Sequence, residues 1–195
     1  MKKLIIISVL ASAVATPASA SIFRRSETNF SGAFTAGYVF KRDHLFKEVY
    51  GLGAINIITA DGCYTPFEYW GIGAKISYWF TPGDTTFFGR DTFLQEVPFT
   101  AYLRGILNMH CGLRLYASLG GGGIWAYEKS YLGKAHVLKP IGEAELGMNY
   151  CIYHRVNFTA AARYLFPREA VTCPPCVRKI DLGGFDIRAG IGFDV

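Results

Sequence analysis

The chain has 195 residues, 51% of them hydrophobic and 18% charged, with 22 Gly, 15 Phe, 12 Tyr and 3 Trp and a formal charge of +5. That length suits one domain, and abundant aromatic and β-branched residues at low charge exclude a disordered chain. After the first segment, Gly, Pro or a charge interrupts every run before it nears the roughly 20 apolar residues of a membrane helix. A mean hydropathy of +0.21 must therefore be spread over many short segments, which points to strands.

Residues 1–20 begin Met1-Lys2-Lys3, continue through an apolar run and end Ala18-Ser19-Ala20. A basic start, a short apolar run and small residues at the end predict a secretory signal peptide rather than a membrane span. Its removal leaves 195 − 20 = 175 residues and takes away Lys2 and Lys3, so the charge falls to +3. No basic surface for nucleic acid remains.

Over the expected mature chain, residues 21–195, apolar and polar side chains alternate with period two, the pattern of half-buried strands. Phe30, Phe34, Ala36, Tyr38 and Phe40 share a face. Residues 50–60 are strand-like with a less definite inward face. Trp70, Ile72, Ala74, Ile76, Tyr78 and Phe80 share the next, and Val97, Phe99, Ala101 and Leu103 oppose Thr100, Tyr102 and Arg104. From Leu113 to Tyr127 the odd positions are mainly apolar, against Arg114, Tyr116 and Ser118. Ala144, Leu146, Met148, Tyr150 and Ile152 oppose Glu143 and Glu145, and Val156, Phe158, Ala160, Ala162, Tyr164 and Phe166 oppose Asn157, Thr159 and Arg163. The last segment, Gly184–Val195, alternates without a fault. Eight strands result, with short connections expected near 61–66, 106–111 and 152–154 and longer ones near 41–49, 81–94, 128–139 and 167–181.

The odd-numbered strands each end in two same-face aromatics: Tyr38 and Phe40, Tyr78 and Phe80, Trp125 and Tyr127, Tyr164 and Phe166. In an up-and-down barrel these rings form one belt, and amphipathic rings prefer a membrane–water interface. A weaker belt at the other rim draws on Phe30, Tyr69 or Trp70, Tyr150 and Phe193. An eight-stranded barrel has room inside only for modest side chains, and the apolar face carries the bulky ones. The fold expected is therefore all-β: an eight-stranded antiparallel up-and-down transmembrane β-barrel with its apolar face toward lipid.

The polar face then lines the lumen with Lys75, Arg104, Arg114, Glu143, Glu145, Arg163, Asp186 and Arg188, with Asp194 near the rim: five cations against three or four anions. Arg114 is expected beside Glu143 or Glu145, and Arg163 between those glutamates and Asp186 or Arg188. Buried charges persist only when partnered, so such a lumen is either a structural plug or a narrow, weakly selective pore.

Five cysteines leave at least one unpaired within the chain in an oxidising compartment. Cys63, Cys111 and Cys151 are expected beside short turns, and Cys173 and Cys176 in a long loop reading Thr-Cys-Pro-Pro-Cys. A local disulfide, an intermolecular cross-link and a metal or redox site all stay open. None of His44, His110, His136 and His154 has a serine at strand spacing, so no catalytic set is visible, and no metal or cofactor site is assigned. The glycines at 120–123 continue a strand and precede no helix, so close strand packing explains them better than a phosphate cradle.

The leader ending Ala18-Ser19-Ala20, the eight alternating strands and the interior of paired charges resemble the small Gram-negative outer-membrane barrels of the OmpA transmembrane-domain, OmpX and opacity-protein type. The cysteine placement also resembles disulfide cross-linked envelope proteins. The resemblance implies an outer-membrane location and a structural, surface-presenting, adhesin-like role. It implies outer-membrane lipid and the barrel-assembly machinery as partners, with disulfide-linked envelope proteins or host surface ligands beside them. External contact would fall in the long loops, notably Phe87-Phe88-Gly89-Arg90 and the Cys-Pro-Pro-Cys tip. The alternative is a porin-like channel, and a lipid-modifying enzyme ranks last. Such barrels usually end in an aromatic residue, whereas this sequence ends Phe193-Asp194-Val195; no cell-wall-binding domain is expected after the last strand.

Overall fold

The computed structural model describes residues 30–41, 54–85, 90–109, 112–130, 133–167, 171–173, 178–180 and 183–195. Eight strands close into one barrel: β1 (Phe30–Lys41), β2 (Ala54–Phe67), β3 (Trp70–Thr85), β4 (Arg90–Asn108), β5 (Leu113–Ser130), β6 (Gly133–Tyr153), β7 (Val156–Pro167) and β10 (Gly184–Asp194). A two-stranded ribbon of β8 (Val171–Cys173) and β9 (Arg178–Ile180) interrupts the connection from β7 to β10. Every neighbouring pair is antiparallel, and β1 closes on β10 from Ser31↔Asp194 to Lys41↔Gly184. Closure leaves no sheet edge within the barrel wall. The 1–20 segment, Phe87-Phe88-Gly89, Cys111 and Cys176 lie outside the described residues.

The connections differ from those expected. The 61–66 segment is wall, not turn: β2 continues through it to Phe67, and the turn falls at Glu68–Tyr69. Asp61-Gly62 has turn chemistry, but its backbone is held on both sides, by Ala33 and Gly32 of β1 and by Lys75 and Ala74 of β3. Expected loops 81–94 and 128–139 are likewise mostly strand, with β3 reaching Thr85, β4 starting at Arg90, β5 reaching Ser130 and β6 starting at Gly133. Among the described residues, Gly133–Pro140 of β6 pair with β5 alone, because pairing with β7 begins at Ile141↔Pro167. The strands β3–β6 thus extend past the described ends of β1, β2, β7 and β10 as a projecting sheet.

Glycine and aromatic side chains interlock across the wall. Among the described residues, five glycines are covered by the ring of the aromatic directly opposite on the next strand: Gly73 by Tyr102, Gly147 by Tyr116, Gly32 by Phe193, Gly142 by Phe166 and Gly123 by Phe99. A Cβ at Gly147 would lie 2.3 Å from the Tyr116 ring, and one at Gly73 would lie 2.4 Å from Tyr102. The ring fills the space that the missing side chain leaves, the cross-strand device that lets a sheet carry glycine.

The barrel is polar inside and apolar outside. Buried polar and charged residues outnumber buried apolar ones, while Phe34, Ile58, Leu103, Leu119, Leu146 and Ile191 are all more than half exposed. A 12-residue strand such as β1 rises roughly 40 Å along its own axis, ample for the roughly 25 Å apolar band of a membrane barrel even when tilted.

Candidate functional site

Three surfaces carry chemistry: the outer wall, the lumen and the projecting rim. On the wall, Tyr38, Phe40, Tyr78, Phe80, Trp125, Tyr164 and Phe166 are all exposed at the long-loop end, and Tyr127 is half-buried among neighbouring rings. Phe40 stacks on Phe185, Tyr164 on Phe166, and Trp125 on Tyr127. At the short-turn end Phe30, Tyr64, Trp70, Tyr150 and Phe193 are exposed. Two rings of aromatics therefore flank a band of aliphatic side chains. No helix among the described residues is long and apolar enough to cross a membrane; the strands supply the apolar surface.

In the lumen the structure brings Lys75, Arg104, Glu143, Glu145, Arg163, Asp186 and Arg188 together, each at most 5% exposed. Lys75 Nζ donates to Glu143 at 3.0 Å and Glu145 at 2.7 Å. Arg163 Nε donates to Asp186 at 2.7 Å, Nη2 donates to Ser77 at 3.0 Å, and Thr100 donates to Glu143 at 2.9 Å. Arg188 donates to Glu145 and stands 2.7 Å from Asp186. Arg104 Nη2 donates to Asp61 at 2.6 Å, and its guanidinium stacks over Tyr116 at 4.1 Å and Tyr102 at 4.6 Å, while Tyr102 donates to Asp61.

Arg114 is placed differently from the expectation. Its register partner on β6 is Asn149, whereas Glu145 and Glu143 lie further along at Ser118 and Gly120. Its side chain crosses the lumen to Asp194 instead. The charge tally changes too, because the ion pairs also include Asp61, Lys41 and Glu96. Lys41, Lys75, Arg104, Arg114, Arg163 and Arg188 face Asp61, Glu96, Glu143, Glu145, Asp186 and Asp194. Among the described residues, six cations meet six anions in this network.

An apolar layer toward the long-loop end was absent from the sequence expectation. Val39, Ile55, Ile57, Trp79, Leu94, Ile124, Ala126, Ile141 and Leu165 form one buried cluster. Within it Lys41 Nζ lies 2.8 Å from Glu96 and 4.8 Å from the centre of the Trp79 ring, and Trp79 Nε1 donates to Glu96. These residues sit on the lumen parity of their strands, where the lower lumen has Thr, Ser and charge. At the short-turn end, two cavities of about 20 and 10 Å³ are lined by Arg104, Tyr116, Asn149 and Asp194, with Cys63 in the larger. Each has room for about one water, and the unpartnered Asn149 and Asn157 side-chain oxygens and Arg104 Nε face this region.

The cysteines separate by environment. Cys63, expected beside a turn, is instead in the wall of β2, buried and pointing into the lumen. Cys151 is half-exposed near the turn after β6, with its thiol 3.5 Å from the His154 carbonyl oxygen. Cys173 falls in β8, paired with Arg178.

On structural comparison the chain is similar to Neisserial surface protein A, with a TM-score of 0.62 at 11% identity over 85% of this chain and 97% of that one. It is similar to the outer membrane protein OprG from Pseudomonas aeruginosa, with a TM-score of 0.62 at 12% identity over 88% and 98%. It is also similar to Ail, the attachment invasion locus protein of Yersinia pestis, solved with the heparin analogue sucrose octasulfate, with a TM-score of 0.52 at 16% identity over 87% and 99%. No family model and no curated protein matches the chain. The closed eight-strand order, the apolar exterior and the polar interior are the architecture of a membrane-type β-barrel. Its fold is that of the small eight-stranded barrels of bacterial outer membranes.

Proposed function

We propose that this protein is a plugged outer-membrane barrel whose work is structural and surface-presenting. The observation that supports it is the packing of the described lumen, an ion-pair network below and an apolar layer above, with each of the two cavities at the short-turn end about the size of one water. A side chain bonded to two or three buried partners is costly to move aside, so the interior serves stability. The projecting β3–β6 sheet then carries the chain's contacts outward. OprG and Ail share the fold, and the complex of Ail with a heparin analogue is consistent with an external ligand for this chain also. A half-exposed Cys151 near the short-turn rim suits a disulfide to a neighbouring envelope protein.

The test is attachment. Glu128 and Ala135 are register partners, so excising the residues between them and closing with a two-residue turn keeps the barrel register intact. Cells displaying the full chain should attach to host-cell surfaces, and cells displaying the shortened hairpin should attach less. Equal attachment by both, with both folded, would remove the surface role.

A further inference from the structure

The odd positions of lower β2 turn inward, so Asp61, Cys63 and Thr65 face the lumen. The Cys63 sulfur lies over Gly71 of β3, where a Cβ would come within 2.7 Å of it. That contact fixes the thiol on the wall between the two strands. Its other side borders the cavity of about 20 Å³ at the short-turn end. Buried thiols usually pack as small apolar groups, but this one shares its space with Ser31, Thr65, Asn149 and the guanidinium groups of Arg104 and Arg114. Two polar atoms here have no hydrogen-bond partner among the described residues. Arg104 is 5% exposed, and while its Nη2 is committed to Asp61, its Nε is buried without an acceptor. Asn149 Oδ1 is likewise buried without a donor. Both residues line the larger cavity and the smaller one beside it.

An orphaned donor and an orphaned acceptor on one small space call for an occupant that both accepts and donates. The volume restricts it to water or a molecule little larger. Hydrogen peroxide meets both conditions and reacts with thiols. We infer that this cavity admits hydrogen peroxide from the short-turn end and that Cys63 is an oxidation site served by it. Peroxide accepts a hydrogen bond from Arg104 Nε and donates one to Asn149 Oδ1, beside the sulfur. The sulfur attacks the nearer oxygen, the O–O bond breaks, and the thiol proton leaves with the departing oxygen as water. One thiol and one peroxide give one sulfenic acid and one water, so the two electrons lost by sulfur are those gained by the peroxide. The oxygen now on sulfur takes the hydrogen bond of Arg104 Nε. The same confinement excludes bulky oxidants and other proteins' thiols. Cys151, the other free cysteine among the described residues, sits on the half-exposed turn after β6, so the sulfenic acid does not condense with it to a disulfide.

This chemistry lies beneath the ion-pair network and is independent of the attachment role. The test uses the full chain refolded in nonionic detergent, with folding verified by a heat-dependent gel shift and the reachable thiols first capped with maleimide. The probes are hydrogen peroxide and cumene hydroperoxide, a bulky organic peroxide. After unfolding, dimedone traps the sulfenic acid and peptide mass mapping locates it. In the folded barrel hydrogen peroxide should oxidise Cys63 and cumene hydroperoxide should leave it a thiol, whereas in urea both should oxidise it. Asn149→Leu removes the acceptor and fills space, and should slow oxidation by hydrogen peroxide about fivefold in the folded barrel and not in urea. Should that variant not fold, Ser31→Val narrows the same cavity from β1 and takes its place. No oxidation of the folded wild type by hydrogen peroxide, equal oxidation by both peroxides, or an unchanged rate in the folded variant would each overturn the assignment. The first and third results leave the closed lumen standing, whereas entry of cumene hydroperoxide or maleimide to Cys63 counts against both.

Discussion

Replacing Glu143 and Glu145 together by Gln removes two charges from the lumen while conserving volume. Glu143 holds Lys75 and Thr100 and lies 3.5 Å from Arg163; Glu145 holds Lys75 and Arg188 and lies 3.5 Å from Arg104. Afterwards Lys75, Arg104, Arg163 and Arg188 face only Asp61 and Asp186 within that group, an imbalance of 4 − 2 = +2. Removing one partner of a buried ion pair costs about 3–5 kcal/mol. The two sites share Lys75, so the losses add incompletely, and a combined loss of about 4–8 kcal/mol is expected. Urea unfolding in detergent micelles, followed by the heat-dependent gel shift, measures it. At roughly 2 kcal/mol per molar urea the midpoint should fall by about 2 M or more. Adding Lys75→Met, which removes the cation bound by both glutamates, should recover part of the loss. An unchanged midpoint in the double variant would refute the view that this network holds the barrel together.

Leu119, 67% exposed in the middle of β5, should tolerate Ala, whereas Leu119→Arg should lose about 2–4 kcal/mol in lipid vesicles; equal stability would count against burial of that face in lipid. Gly147→Ala drives a methyl group into the Tyr116 ring at 2.3 Å and should destabilise by about 1–3 kcal/mol. Truncating Tyr116 to Ser in the same chain should relieve the ring's share of the clash, leaving the Ala160 carbonyl oxygen at 2.8 Å, and a fully additive loss would refute the interlock. In the folded protein a maleimide should label Cys151 and spare the buried Cys63, which becomes reactive only on unfolding; rapid labelling of Cys63 in the folded barrel would show an open lumen.

Much of the wall was legible because period two survives in almost every strand: Phe185, Ile187 and Ile191 stand outside while Asp186 and Arg188 stand inside. The extents of the strands were not legible. Asp61-Gly62 and Pro82-Gly83-Asp84 carry turn residues, yet pairing with neighbours on both sides or in a long hairpin overrides that local preference. Asp61 was therefore assigned to a turn, and the partner that Arg104 and Tyr102 share in the lumen was missed. The apolar layer was hidden for another reason. Ile55, Ile57, Ile124 and Leu165 sit on the lumen parity beside apolar outward neighbours such as Ile58 and Trp125, so alternation fades where both faces are apolar. Arg114 was matched to the wrong acid because adjacent strands say nothing about reach across a lumen; its partner Asp194 lies two strands past β6 in the barrel order, on β10. The remaining clue available in the sequence was parity itself, which puts Lys41, Glu96 and Asp61 on the same inner face as the other charges.

The central claim is that the lumen is closed, and conductance tests it most directly. The chain, refolded and shown by its gel shift to be a barrel, is inserted into a planar lipid bilayer under applied voltage. A sealed lumen predicts no discrete current steps from the wild type, and steps only when the ion pairs and the apolar layer are opened together, as by Glu143→Gln and Glu145→Gln with Ile57→Ala and Ile141→Ala. Reproducible unitary steps from the wild type would contradict the plug and make the protein a channel.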